Sequence, residues 1–147
     1  REALNKGEIE LANKYLGQEF FITALVVKGK QLGRTLGYPT ANLEIDDEDK
    51  MIPAIGVYLV NVLIDHKEFY GMLSIGKNPT TDTDELVKIE VNIFNFDKDI
   101  YNNTVRVSFM KRLRDEVKFE TIELLKTQLK HDKENCLKLI EELNQHA

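Results

Sequence analysis

The amino-acid sequence predicts a mainly β fold, a small barrel with a helix at each end of the chain. Two observations lead to this fold class. Short runs of β-branched and aromatic residues recur along most of the chain between polar turn residues, and the last part of the chain changes to a helical period. Short strands followed by a terminal helix favour an antiparallel barrel over a parallel α/β sheet, in which helices would alternate with strands.

A short helix is predicted near the N-terminus, over residues 5–16. Ile9, Ala12 and Leu16 recur there at helical spacing. Gly17 follows them and suits the left-handed position that ends many helices.

Five segments are predicted to form strands from their β-branched and aromatic content. Two of them are separated by a polar connection of hairpin length, so we expect this pair to be antiparallel. The predicted strands cover residues 20–28, 55–64, 69–75, 87–96 and 104–110.

The fourth of these strands alternates in polarity. Successive side chains of a strand lie on opposite faces of the sheet, so one face of this strand is expected to pack in the core and the other to open into a cleft. The core face carries Val87, Ile89, Val91 and Ile93, and the opposite face carries Lys88, Glu90, Asn92, Phe94 and Phe96.

A long amphipathic helix is predicted beyond Phe119, because apolar residues recur there at helical spacing between charged ones. This apolar stripe includes Cys136, the only cysteine of the chain. A single cysteine cannot form an intramolecular disulfide or a thiolate zinc cluster. Its place on the stripe favours a packed thiol over a nucleophile.

Composition and charge narrow the classes of function. Of the 147 residues, 42% are hydrophobic and 31% are charged, which is typical of a globular domain and not of a disordered segment. The net charge of −5 disfavours binding to nucleic acid, which requires clustered Lys and Arg. The sequence has no apolar run of membrane-spanning length and no secretion signal, so we expect a cytoplasmic protein that binds a small ligand and no membrane.

The segment after the first predicted strand has the composition of a ligand-binding loop. Residues 33–42 read GRTLGYPTAN. Gly29, Gly33 and Gly37 allow the backbone to approach a ligand closely, as loops that cradle phosphates require. The string is neither a P-loop nor a dinucleotide fingerprint. A plain turn is the commoner structure for such glycines.

The end of this loop carries two oxygen-bearing side chains. Pro39 has a fixed φ and stiffens the path of the residues that follow it. In an extended stretch Thr40 and Asn42 project to the same side, where their oxygens suit Mg²⁺. The same two residue types also cap backbone groups in turns, and the residues alone favour that interpretation.

Five strings in consecutive order carry a resemblance that extends over nearly the whole chain from Gln18 onward. They are GRTLGYPTANL, PAIGVYLVNV, GMLSIGKNPT, KIEVNIFNFDKDIY and FMKRLRDEVKF, and in this order they resemble the riboflavin kinase family. The resemblance implies a kinase domain over residues 18–147, built as a six-stranded antiparallel, Greek-key-like barrel with a long C-terminal helix. Residues 1–17 resemble the linker helix that precedes this domain in bacterial bifunctional enzymes, so we expect an FMN adenylyltransferase module upstream in the full-length protein.

The resemblance also implies a reaction, the phosphorylation of the ribityl 5′-hydroxyl of riboflavin by ATP with Mg²⁺, which gives FMN and ADP. It assigns Thr40 and Asn42 to Mg²⁺ and the ATP phosphates, and Glu90 to the general base. A carboxylate suits this role because it accepts the hydroxyl proton during phosphoryl transfer. Two other functions stay open, a non-catalytic flavin- or nucleotide-binding module and a barrel that mediates protein contacts. Because a pure binder needs no base, the presence of all three residues favours catalysis.

The same resemblance assigns further residues to the two substrates. Arg114 and Asn92 are expected near the flavin, and Asn92 stands where the family commonly has His. The residues assigned to the nucleotide are Gly29, Lys30, Gly33, Arg34, Gly37, Pro39, Thr40 and Asn42.

Overall fold

A computed structural model of the chain describes residues 9–17, 19–27, 40–45, 52–77, 87–96, 100–117 and 119–145. The chain divides into two compact units, Arg1–Glu116 and Val117–Ala147. The first unit contains a short helix and all the strands, and the second contains a long helix. In chain order the elements are α1 (Ile9–Leu16), β1 (Phe21–Val27), β2 (Ala41–Ile45), β3 (Gly56–Ile64), β4 (Lys67–Lys77), β5 (Val87–Ile93), β6 (Thr104–Arg114) and α2 (Ile122–Gln145).

The six strands form a closed barrel in the order β1-β2-β5-β4-β3-β6, and β6 pairs with β1 to complete it. All six pairings are antiparallel. This confirms the predicted fold class, a mainly β chain with a closed six-stranded antiparallel barrel and a C-terminal helix. The predicted helix residues before Ile9 lie outside the described ranges.

The interior of the barrel is filled by the inward face of each strand. In β1, Ile22 and Val26 are buried and Thr23 is exposed, as alternation requires. Tyr58 and Phe109 are the largest fully buried side chains of the described part, and their ring centroids lie 5.3 Å apart in an edge-to-face arrangement. This geometry is favourable for two aromatic rings, so the two side chains pack specifically at the centre of the core.

The connection between β3 and β4 is shorter than the sequence predicts. Asp65 and His66 have φ angles of 48° and 68° and form a two-residue turn, so β4 begins at Lys67 and not at Phe69. Two-residue turns with positive φ match the twist of the flanking strands. Asp and His are among the side chains that tolerate this region best, so the turn forms without glycine.

The strand β2 forms in a segment for which the sequence pattern predicted no strand. Its five residues, ANLEI, are too few to show a clear period. Hydrogen bonding to β1 on one side and β5 on the other makes the segment a strand. It closes the barrel between these two elements.

The end of β5 differs from the prediction. The strand stops at Ile93, because Asn95 adopts a positive φ of 58° and breaks the alternation. Phe94 is buried, and Phe96 packs against the core with its ring 5.0 Å from that of Phe69. The prediction that Phe96 continues the outer face of Glu90 was therefore wrong.

The helix α2 begins after Thr121, whose Oγ1 accepts a hydrogen bond of 3.1 Å from the backbone N–H of Leu124 and caps the helix. Cys136 is buried, as its place on the apolar stripe predicts. Burial raises the pKa of the Cys136 thiol to about 12, and Asp132 adds to this increase. Within the described ranges, no helix combines the length and apolarity that a membrane span requires.

The spacing between β4 and β5 depends on Gly71. This residue is paired with Val60 of β3 and Ile93 of β5. A Cβ atom on Gly71 would lie 2.9 Å from the carbonyl oxygen of Asn92. The opposing atom belongs to the backbone of a paired strand and cannot move alone, so the close approach requires glycine.

Replacing Gly71 by Ala is therefore expected to lower the free energy of unfolding by about 1–3 kcal/mol, the usual cost of overpacking. Gly76→Ala is the matched control on the same strand, because its methyl group would meet the carboxylate of Glu116, which can rotate away. Urea denaturation of the two variants measures the difference. Equal stabilities would contradict the conflict with the β5 backbone.

The raised pKa of Cys136 predicts an unreactive thiol. At pH 8 a thiol with this pKa is ionised to only about one part in 10⁴, and the thiolate is the reactive form. Labelling with Ellman's reagent at pH 8 is expected to be at least ~100-fold slower in the native protein than in urea, where the ordinary pKa returns. A native rate equal to the rate in urea would show that the thiol is accessible.

Candidate active site

Three of the predicted site residues lie on one row of paired positions that crosses the barrel. Asn42 of β2 is paired with Glu90 of β5, and Glu90 is paired on its other side with Ser74 of β4. The row continues through Val57 of β3 to Arg114 at the end of β6. Directly paired residues of antiparallel strands project from the same face, so the whole row belongs to one surface of the sheet.

This row lies on the outer face of the barrel. Ile89 and Val91 flank Glu90 and are buried in the core. Alternation along β5 therefore turns Glu90 outward, as the sequence pattern predicts. Its side chain keeps 31% of its surface exposed, so a substrate can reach the carboxylate.

Asn42 and Glu90 are the predicted site residues that the structure brings together. The Cβ atoms of directly paired residues are about 4.5–5.5 Å apart, so the Asn42 amide and the Glu90 carboxylate border the same small area. Asn42 is only 9% exposed, whereas Glu90 is half-buried. Thr40 is half-buried and stands immediately before the first residue of β2.

The donor atoms of this area fit Mg²⁺. Thr40 and Asn42 carry hydroxyl and amide oxygens and Glu90 carries a carboxylate, and Mg²⁺ prefers oxygen ligands while it keeps water and substrate phosphates in its shell. In the part of the chain that the structure describes, no three His, Cys, Asp or Glu side chains are grouped for metal binding.

A lysine that the sequence analysis did not assign to the site contacts Glu90. Lys88 Nζ lies 2.8 Å from Glu90 Oε1. The two residues are separated by one position in β5 and therefore lie on the same face of the strand. The alternation of β5 contained the signal for this contact, since it already placed Lys88 and Glu90 on one face.

Asn92 lies one step further along the same face of β5. It is paired with Met72 of β4, so it belongs to the row next to that of Glu90. Asn92 is buried, with 7% of its surface exposed. Its position brings it to the border of the area between Asn42 and Glu90.

Arg114 belongs to the row but not to this area. It is separated from Glu90 by β4 and β3, and in the closed barrel β6 lies three strands from β5 in either direction, so the two residues are on opposite sides of the barrel. The Arg114 guanidinium donates a hydrogen bond of 2.9 Å from Nη1 to the carbonyl oxygen of Asp115. The structure therefore places Arg114 at the opposite end of the row from Asn42.

A second arginine, Arg112, organises this end of the barrel and was missed in the sequence. Its Nη2 donates to the carbonyl oxygen of Ile55 at 2.9 Å and to Asp115 Oδ1 at 2.6 Å. Burial raises the pKa of Tyr58, an effect that the neighbouring Arg112 opposes. Burial acts to lower the pKa of Arg112 itself, but hydrogen bonds to Asp115 and Tyr58 outweigh this and raise it. Arg112 therefore stays charged and holds the chain around Ile55 against the end of β6.

The remaining predicted nucleotide-binding residues lie outside the described residues. They stand in the sequence between the residues of β1 and those of β2 and are Gly29, Lys30, Gly33, Arg34, Gly37 and Pro39.

Comparison with known protein families gives one match over most of the chain. A family model described as Flavokinase, riboflavin kinase, matches residues 16–140. The bifunctional riboflavin kinase/FMN adenylyltransferase of Bacillus subtilis (strain 168) is 37% identical over 145 residues, which is 97% of this chain and 46% of the relative. The protein of the same description from Pseudomonas fluorescens is 38% identical over 132 residues, which is 90% of this chain and 42% of the relative. The chain thus spans less than half the length of these two relatives.

Solved structures with the same barrel were also found. A Streptococcus pneumoniae crystal structure, described as a macrolide-efflux protein, is 44% identical and matches 90% of this chain and 43% of its own, with a TM-score of 0.84. The riboflavin kinase of Trypanosoma brucei matches 82% of this chain and 79% of its own with a TM-score of 0.57 and 20% identity. At that identity, the similarity extends to the fold alone.

Proposed function

Because this chain belongs to the riboflavin kinase family, we propose that it transfers the γ-phosphoryl group of ATP to the 5′-hydroxyl of the ribityl chain of riboflavin. The products are FMN and ADP. The observation that carries this proposal is the direct pairing of Asn42 with Glu90 across β2 and β5. It puts the amide of Asn42 next to the partly exposed carboxylate of Glu90, which supports a site with a metal and phosphate ligand beside a base.

The proposed chemistry requires one base and aligned substrates. The ribityl hydroxyl oxygen forms a bond to the γ-phosphorus while the bond from that phosphorus to the β,γ-bridging oxygen breaks, and ADP leaves with the electron pair. The hydroxyl proton goes to the Glu90 carboxylate. Phosphoryl transfer has a loose transition state in most enzymes, so the main tasks of the protein are alignment and charge stabilisation.

Asn42 and Thr40 are proposed to hold Mg²⁺ together with the ATP phosphates. When bound, the cation neutralises the charge that develops on the phosphate oxygens. Asn42 is suited to this role because it is rigidly placed in a strand and nearly buried, and its neighbour across the strand is the proposed base.

Asn92 and Arg114 are proposed to contact the flavin. Asn92 lies on the same face as Glu90 and borders the reactive area. Arg114 lies at the far end of the row, on β6, three strands away from β5. The support for Arg114 is the resemblance alone, since β6 lies on the other side of the closed barrel from β5.

We also propose that FMN made by this domain is passed to an FMN adenylyltransferase in the complete protein. The names of the bacterial relatives combine the two activities, and these relatives are more than twice as long as the part of them that matches this chain. We place the reaction in the cytoplasm, where ATP is available.

The proposed activity is tested directly with the purified 147-residue chain. Incubation with riboflavin, ATP and MgCl₂ is expected to give FMN and ADP in equal amounts, measured by chromatography with fluorescence detection. Flavin or nucleotide binding without FMN formation, under several divalent cations and with oxidised or reduced flavin, would instead support a non-catalytic binding module.

Replacing Glu90 by Gln is expected to lower the single-turnover rate of FMN formation by roughly 10²–10⁴-fold, the usual contribution of a general base. The substitution keeps size and hydrogen bonding and removes the basic carboxylate, so the affinities for ATP and riboflavin should change little. Glu68→Gln is the matched control, because Glu68 is exposed near the β3–β4 turn. A Glu90→Gln variant with the wild-type single-turnover rate would show that Glu90 is not the base.

Replacing Asn42 by Ala is expected to raise the KM for MgATP by roughly 10- to 100-fold, since a bond to a charged group is worth about 1.5–3 kcal/mol. Riboflavin affinity, measured by quenching of its fluorescence, should stay unchanged. Asn61→Ala on β3 serves as the matched control. If Asn42→Ala leaves both the KM for MgATP and the Mg²⁺ dependence unchanged, Asn42 has only a structural role in its own segment.

A further inference from the structure

The outer face of β5 carries a positive charge in contact with the proposed base. The ion pair joins Lys88 Nζ to Glu90 Oε1 at 2.8 Å, and the two side chains are 35% and 31% exposed. The contact uses one carboxylate oxygen. No second partner of the Glu90 carboxylate is found among the residues that the structure describes.

Resting on the proposed function, we infer that Lys88 is a positioning residue for phosphoryl transfer. Its ammonium group holds Oε1 of Glu90 and leaves Oε2 to accept the proton of the ribityl hydroxyl. A glutamate side chain has several rotatable bonds, and an unheld carboxylate would sample many positions. The ion pair restricts the carboxylate to positions within reach of the Lys88 ammonium group, on the outer face of β5.

The stability of the fold does not account for this ion pair. Pairs between side chains as exposed as these contribute little to folding, because water screens the attraction and two flexible side chains are immobilised. Orientation of a reactive group is different, since a small displacement of a catalytic group changes the rate strongly. The contribution of Lys88 is therefore expected in the rate and not in the stability.

A second carboxylate, that of Glu116, lies beside the neighbouring strand β4. Lys88 is paired with Gly76 of β4, and both residues lie on the outer face, since Ile75 and Ile89 beside them are in the core. The carboxylate of Glu116 occupies the space that a side chain on Gly76 would fill. The Cβ positions of paired residues are about 5 Å apart, so Lys88 has Glu90 along its own strand and Glu116 across the next one.

The nearby carboxylates explain why the Lys88 ammonium group stays close to the surface of the sheet. Two negative groups border the lysine, so the net charge of the cluster formed by Lys88, Glu90 and Glu116 is −1. The lysine reduces the repulsion that Glu90 would otherwise exert on the anionic phosphates of ATP. This effect should also change the rate of the reaction and not the stability of the barrel.

The inference predicts a specific kinetic signature. Lys88→Met keeps the length of the side chain and removes its charge, and it should lower kcat by about 5- to 100-fold through misplacement of the base. The KM values for riboflavin and MgATP should change less than twofold, and Lys88→Arg should restore most of the rate. Lys67→Met is the matched control. Lys67 is exposed and lies at the end of β4 that is far from Gly76, the partner of Lys88.

A double-mutant cycle separates positioning of Glu90 from any direct role of Lys88. If Lys88 acts through Glu90, adding Lys88→Met to the Glu90→Gln variant should lower the rate no further, whereas independent effects would multiply. Thermal unfolding of each variant, which is expected to match the wild type, shows that the barrel is intact.

Three outcomes overturn the inference and can be told apart. A wild-type chain that forms no FMN refutes the proposed function and this inference with it. An active wild type with an equally active, folded Lys88→Met variant refutes the role of Lys88 alone. An increase in the KM for MgATP without a change in kcat would identify Lys88 as a phosphate ligand and not as a positioning residue.

Discussion

The pairing of β5 with β2 on one side and β4 on the other is the constraint on which the functional face depends. Side chains alternate along β5, so a shift of one residue would bring Glu90 into the core and expose Ile89 and Val91. Burial of an unpaired carboxylate and exposure of two apolar side chains would both be unfavourable. The hydrophobic core therefore determines which carboxylate faces Asn42, although no core residue takes part in the chemistry.

The strand β4 contains two glycines next to β5, one where the two backbones lie close together and one where a charged side chain is accommodated. Gly71 lets β4 lie against the backbone of β5, and Gly76 makes room for the carboxylate of Glu116. The two glycines have different uses, because one is opposed by a fixed carbonyl group and the other by a side chain that can rotate. A single strand thus contributes both to the stability of the barrel and to the charge pattern beside Glu90.

Much of the fold follows from sequence periodicity, because strands with one face in the core alternate strictly. The outward position of Glu90 and the buried position of Cys136 could be predicted in this way. The strand β2 could not, since five residues show no period and only pairing with its neighbours makes it a strand.

The remaining differences arise where backbone conformation interrupts the pattern. Asn95 reverses the expected face of Phe96 through its positive φ, and Asp65 and His66 shorten the connection that precedes β4. The Lys88–Glu90 contact was implicit in the alternation, but its distance depends on side-chain conformations that a sequence does not contain. Pairings between distant strands, such as Asn42 with Glu90, require knowledge of the strand order.

Closure of the barrel also governs how this domain can meet another protein. Each of the six strands has hydrogen-bonded neighbours on both sides, so the strands that the structure describes leave no open sheet edge to which a foreign strand could be added. An attached module or a second molecule must then recognise the barrel through side chains on its surface. Such surfaces change by single substitutions, so the domain can acquire or lose neighbours while its hydrogen-bonded framework stays the same.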